Sequence, residues 1–287
     1  MMKLQDIKKV GVVGAGTMGQ GIAQISALAG YSVVLYDFQA TALNQAKLNI
    51  EKNLEKGIER GKVTVQERDQ SLSNITFSTD FEQLRADIII EAIVERLDVK
   101  KELFGKLENL NSEKTILASN TSSIPITRIA RDLKHPERFV GMHFFNPAHI
   151  MKLVEVISGV STSDDTSNTV FELAKQLGKV PVMAKDAPGF IVNRVARNFY
   201  VEGLKVLEEG VSDVKGIDRL VEASGFKMGP FRLMDLIGVD TNFSVTTSMF
   251  NAFHQDPKFR PSRIQEQKVD AGHNGRKSGK GFYDYSA

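Results

Sequence analysis

The sequence predicts an α/β domain on a doubly wound, mostly parallel sheet, followed by a C-terminal all-α domain. Three observations carry this. Short apolar, β-branched runs alternate with amphipathic stretches through the first 185 residues, and strand signals then largely vanish. One run, DIIIEAI at 87–93, is apolar on both faces, as a central strand covered by helices on each side must be.

The elements follow in order. Residues 10–13 read as the first strand, and 18–29, rich in Ala, Gln and Ile, as the first helix. YSVVLY at 31–36 is the second strand, followed by a long amphipathic helix at 41–61. Further strands are read at 75–78, 87–93, 115–118 and 139–143, with a Lys-, Glu- and Leu-rich helix at 99–110. His143 and the run 152–157 lie on two arms joined by the short loop FNPAHI. That loop permits a hairpin but not a crossover, so these last strands are expected to be antiparallel. Asp186-Ala187-Pro188-Gly189 marks the change of pattern, and the expected domains are 1–185 and 186–287. Helices are then read at 190–209, closed by Gly210, at 213–224, ended by Gly225, at 230–253, opened by Pro230, and at 263–271.

Composition narrows the function classes. With 41% hydrophobic and 25% charged residues and a net charge of +2, the chain is too apolar and too nearly neutral for disorder. Absence of Cys removes disulfides, Cys-ligated zinc, iron–sulfur clusters and thiol nucleophiles, and no metal ion is expected. No apolar run approaches the roughly 20 residues of a membrane helix. Gly11, Gly14, Gly16 and Gly19 would break the apolar core of a leader peptide, so the expected location is cytoplasmic, with no membrane partner. Basic residues are scattered and no aromatic platform accompanies them, so no nucleic-acid partner is expected.

The strongest local motif is Gly14-Ala15-Gly16-Thr17-Met18-Gly19, which follows a strand and opens a helix. In that context Gly14 allows the tight turn, Gly16 lets backbone approach a pyrophosphate, and Gly19 lets the helix pack on the sheet. The helix N-terminus then offers N–H groups to phosphate oxygens. Asp37 ends the second strand, 18 residues after Gly19, where a carboxylate can accept hydrogen bonds from an adenosine ribose. It would repel a 2′-phosphate, and no Arg follows in Phe38-Gln39-Ala40, so the cofactor is expected to be NAD rather than NADP. A second constellation is His143 and Glu155, twelve residues apart across the hairpin. A carboxylate on one ring nitrogen fixes the tautomer and supports the imidazolium that forms when the other nitrogen takes a proton. From spacing alone the same pair could be purely structural. Lys52, Lys56 and Arg60 recur every four residues on one helix face, either an ordinary solvated face or a stripe for an anionic ligand.

These residues carry a resemblance. GMHFFNPAHIMKLVEVI at 141–157 resembles the signature of the L-3-hydroxyacyl-CoA dehydrogenase family. SNTSS at 119–123, PGFIVNR at 188–194, MGPF at 228–231 and GRKSGKGFY at 275–283 match in the same order. In size the chain is similar to the short bacterial members, the 3-hydroxybutyryl-CoA dehydrogenases. The resemblance implies a Rossmann-type NAD domain with a helical protrusion and a helical C-terminal domain for substrate closure and homodimer formation. It also implies reversible hydride transfer between NAD and (S)-3-hydroxyacyl-CoA, short-chain in the first instance. His143 then matches the catalytic base, Glu155 its orienting carboxylate, Ser122 a hydrogen-bond partner of the substrate oxygen and Asn193 another polar group at the reacting centre. Asn146 matches a nicotinamide-side contact, Glu95 a cofactor contact, and Lys277 a C-terminal residue reaching the cofactor. Lys100 matches a contact to the coenzyme A portion, and Asn53 and Arg60 its polar and basic contacts on the protruding helix. Two other readings stand beside this one: a dehydrogenase of a related 3-hydroxy compound (a dicarboxylic acyl-CoA or a sugar acid), or a non-catalytic NAD-binding structural or regulatory protein.

Overall fold

The computed structural model describes residues 2–286, which divide into two compact units, the first ending at Ala187 and the second beginning at Pro188. In the first unit eight strands form one sheet: β1 (Lys9–Val13), β2 (Ser32–Tyr36), β3 (Ile75–Ser78), β4 (Ile88–Glu91), β5 (Ile116–Ser119), β6 (Phe139–Phe144), β7 (Leu153–Ser158) and β8 (Val180–Lys185). Their order is β3-β2-β1-β4-β5-β6-β7-β8. The expected antiparallel hairpin is present as β6–β7, and every other neighbouring pair is parallel. The order turns back between β1 and β4, and in such sheets ligands bind at the carboxyl ends of the strands flanking that point.

Six helices belong to this unit: α1 (Thr17–Leu28), α2 (Ala40–Glu59), α3 (Val65–Ser73), α4 (Leu97–Leu110), α5 (Ile126–Ala130) and α6 (Asp164–Gln176). Val10, Val12, Ile88, Ile89 and Ile90 are 0% exposed, which is why 10–13 and 88–90 read as apolar runs. α2 buries Leu43, Ala46, Ile50 and Leu54 at helical spacing. From there to Ser71 no residue is fully buried, but Val63 and Leu72 pack against the core and α3 lies against α1. α3 has little apolar periodicity and owes its start to a capping box, Thr64 with Glu67.

Two details correct the element reading. β8 is a strand that the sequence reading does not include. It lies at the sheet edge, mostly exposed, and contains Pro181, which only an edge strand tolerates well. Asp186, expected to begin the second domain, belongs to the first: its carboxylate accepts from the Ile126 N–H at 2.9 Å and the Thr127 N–H at 2.8 Å, at the start of α5.

The second unit packs α7 (Val192–Glu208), α8 (Val214–Ala223), α9 (Pro230–Ile237), α10 (Val239–Ala252) and α11 (Arg263–Asp270). Tyr200, Leu204, Ile217, Phe231 and Met234 form its core. The single helix expected over 230–253 is two, because Gly238 adopts φ 107°, outside any helical conformation. Buried Asp235 accepts from the Phe282 and Tyr283 N–H groups, both at 2.9 Å, and buried Asp218 from the Tyr283 hydroxyl at 2.8 Å, which fastens the C-terminal segment to α8 and α9. Among the described residues no helix is long and apolar enough to cross a membrane.

Candidate active site

The glycine turn lies between β1 and α1, beside the point where the strand order reverses. Gly14 has φ 99°, and a Cβ there would lie 2.7 Å from the Ala92 carbonyl oxygen at the end of β4. A Cβ on Gly19 would lie 1.7 Å from the Gly14 carbonyl oxygen, so the turn closes onto α1 only without a side chain. Gly16 differs. A Cβ there meets no atom within 4 Å, so the space beside it lies open in front of the α1 N-terminus, where no side chain caps the first N–H groups. Gly16 and Thr17 are exposed, Met18 is half-buried and Ala15 is buried. Asp37 follows β2; its carboxylate accepts from the Ala15 N–H at 2.8 Å and the Gln39 N–H at 2.9 Å. It is thereby fixed at the rim of a cavity of about 690 Å³ that Gly14, Gly16, Tyr36, Phe38, Ile93 and Val94 also line. An open glycine, a helix N-terminus, a carboxylate and an apolar wall beside it fit the pyrophosphate, ribose and adenine of NAD.

Farther along the sheet, His143 on β6 and Glu155 on β7 are directly opposed in the antiparallel register, which sets both side chains on one face. His143 Nδ1 lies 2.7 Å from Glu155 Oε2. The histidine is 6% exposed and the glutamate 1%, and the Phe145 ring packs against the imidazole with centroids 4.5 Å apart. Asn146 is exposed in the loop that leaves β6. That loop is tied down from β8's approach: Lys179 Nζ donates to the Ala148 carbonyl at 2.5 Å and to that of Met151 at 2.9 Å, and burial lowers this ammonium to about 8.

A third group joins the ends of β4 and β5 to α4. Glu95 Oε1 accepts from the Thr121 hydroxyl at 2.6 Å, the Ser122 N–H at 3.0 Å and the Ser123 N–H at 3.1 Å. Lys100 Nζ lies 3.2 Å from Glu95 Oε2 and 2.5 Å from Glu91 Oε1. Burial works to raise the Glu95 pKa, but the Lys100 ammonium and the hydrogen bonds from Thr121 and Ser122 outweigh it and hold the carboxyl below its ordinary value. The expected contacts Glu95, Lys100 and Ser122 are thus one connected unit. Glu91 was not singled out from the sequence, although a signal was there: a carboxylate inside an otherwise aliphatic strand run must find partners where it is buried.

Asn53 and Arg60 line a separate cavity of about 570 Å³ with Lys56, Lys62, Lys152 and Lys179. Of the Lys52, Lys56, Arg60 stripe, Lys52 is not part of this lining. In the second unit Asn193 lies in the first turn of α7, half-buried. Lys277 is exposed and pairs with Asp240 at 2.7 Å, an interaction that holds the Asp240 carboxyl below its ordinary value against the effect of burial.

Comparison with known proteins places the chain. Residues 9–187 match the NAD binding domain of 3-hydroxyacyl-CoA dehydrogenase, and residues 189–285 match its C-terminal domain. A 3-hydroxyadipyl-CoA dehydrogenase of Escherichia coli is 48% identical over 284 residues; the match covers 98% of this chain, which spans only 60% of that protein. A 3-hydroxybutyryl-CoA dehydrogenase of Clostridioides difficile is 41% identical over 280 residues, covering 97% of this chain and 99% of the relative. The crystal structure of an (S)-3-hydroxybutyryl-CoA dehydrogenase from Ralstonia eutropha superposes with a TM-score of 0.94 at 41% identity, covering 98% of this chain and 100% of that one. The chain therefore belongs to the 3-hydroxyacyl-CoA dehydrogenase family and carries both the NAD-binding and the C-terminal domain of that family.

Proposed function

We propose that this NAD-dependent dehydrogenase interconverts short-chain (S)-3-hydroxyacyl-CoA, 3-hydroxybutyryl-CoA first among them, and the 3-oxoacyl-CoA, with His143 as general acid and base. The observation that carries the reading is the 2.7 Å contact between His143 Nδ1 and Glu155 on paired strands of the sheet that also holds the glycine turn. Bound NAD supplies the hydride acceptor in one direction and the donor in the other. Glu155 engages Nδ1 and so assigns proton exchange to Nε2. In oxidation Nε2 takes the proton of the 3-hydroxyl, and in reduction the imidazolium returns a proton to the oxygen of the reduced carbon. Ser122 holds the substrate oxygen by a hydrogen bond that strengthens as charge develops there. Burial of both members of the dyad keeps their geometry fixed and limits competition from water.

For the coenzyme A portion, the support is the cluster of Lys56, Arg60, Lys62, Lys152 and Lys179 around one cavity, a lining that suits several phosphate groups. Exposed Leu220, Phe226, Leu236 and Ile237 suit a homodimer formed through the helical unit, and the absence of cysteine fits a cytoplasmic setting. A second substrate, a dicarboxylic acyl-CoA, is favoured by the 48% identity to the 3-hydroxyadipyl-CoA dehydrogenase.

His143→Ala tests the reading. General acid–base help is worth about 10²–10⁴-fold, so the variant is expected to lose at least about 10²-fold in turnover while still binding NADH, measured by fluorescence titration. Near-wild-type turnover would reject the assignment.

A further inference from the structure

Glu91 closes β4, an otherwise aliphatic strand, and is 0% exposed. Its carboxylate gathers donors from three places. Ser119 Oγ, at the end of β5, donates to Oε2 at 2.6 Å. The Ile93 N–H and Lys100 Nζ reach Oε1 at 2.8 Å and 2.5 Å. Lys100, 1% exposed, then meets Glu95, and Glu95 holds the Thr121 hydroxyl and the Ser122 and Ser123 N–H groups. Ser119 Oγ in turn accepts from the Thr121 N–H at 3.3 Å. Two arms therefore leave one buried carboxylate and converge on residues 121–123: one through Ser119 and the chain itself, the other through Lys100 and Glu95.

A buried ion pair is weak evidence for a purely stabilising role. Replacing a buried ion pair by well-packed apolar residues is often neutral or favourable, because desolvation offsets the Coulomb attraction. What the pair supplies is direction, since each hydrogen bond fixes the next group along both arms. We propose that Glu91 is a positioning residue for Ser122, holding its hydroxyl where the substrate oxygen develops charge. The proposal rests on the dehydrogenase reading of Ser122. A donor displaced by a fraction of an ångström still binds the ground state but loses its stronger bond to the forming alkoxide, so the effect falls on kcat rather than KM.

The experiment follows NADH oxidation by acetoacetyl-CoA in the full chain for wild type, Glu91→Gln, Ser122→Ala and the double variant. Glu91→Gln is expected to lower kcat about tenfold with KM for acetoacetyl-CoA within about threefold. The double variant should be no more than about twofold slower than Ser122→Ala alone, because positioning has no value once the positioned group is gone. Multiplying effects, or wild-type kcat in Glu91→Gln, would overturn the proposal. Ser119→Ala covers the case in which Glu91→Gln does not fold, since it deletes one arm and leaves the charged pair intact. Its expected kcat loss is about threefold, again absorbed by Ser122→Ala, and an additional or absent loss would overturn the proposal. Wild type inactive on acetoacetyl-CoA would remove the reading beneath the proposal, a result distinct from active enzyme with multiplying effects.

Discussion

At the residue scale, buried carboxylates organise the donors around them. Glu155 was legible in the sequence because a short hairpin loop fixes which residues oppose each other, and the register pairs it with His143. Asp37 was legible from its distance to the glycine turn. The pattern around Glu91 calls for partners but does not name them, because Ser119 and Lys100 come from separate elements that only the folded sheet brings together. Glu95 offers a pH-dependent test. Its folded pKa lies below the ordinary value, so its contribution to stability is fully present above the ordinary carboxylate range and disappears as pH falls through the lowered value. Glu95→Gln should therefore destabilise at pH 7 by on the order of 1 kcal/mol, allowing for solvent screening of a partly exposed group. Urea denaturation of the two proteins should give converging stabilities as the carboxyl is protonated in acid; a gap that persists once all carboxyls are protonated would refute this role for the charge.

At the element scale, the strand–turn–helix unit β1–α1 was read almost whole from the sequence, since each glycine does a different steric task. β8 escaped because Pro181, which lacks the N–H that an inner strand needs, stands in an otherwise apolar run at 180–184. The division of α9 from α10 escaped because Gly238 is one glycine within an apolar stretch, and only its φ of 107° reveals a break. The glycine turn separates fold from binding experimentally. Gly19→Ala forces a Cβ against the Gly14 carbonyl and should cost about 1–3 kcal/mol or more, lowering the thermal midpoint. Gly16→Ala meets no protein atom, so the midpoint should be unchanged while NADH affinity falls about tenfold or more, as the methyl group occupies the space beside the phosphate site. Unchanged NADH affinity in Gly16→Ala would contradict the placement of the pyrophosphate.

At the scale of the whole molecule, the sequence reading of a mostly parallel α/β unit followed by a helical unit corresponds to the architecture, and both parts match one family in order. The roles proposed for Ser122, Asn146, Asn193 and Lys277 rest on resemblance, because no periodicity or spacing distinguishes a reacting Ser or Asn from one that merely completes a turn or a helix. Acyl-chain preference was illegible for a different reason: one methylene in an apolar pocket changes discrimination by only about 1–3 kcal/mol, less than a sequence pattern can encode. NADH consumption measures hydride chemistry on a thioester-linked acyl chain directly. Rapid oxidation of NADH is expected with acetoacetyl-CoA and little with free acetoacetate, because the free acid carries no phosphates for the basic cavity to hold. NADH binding without turnover of acetoacetyl-CoA, or equal turnover of free acetoacetate, would contradict this chemistry.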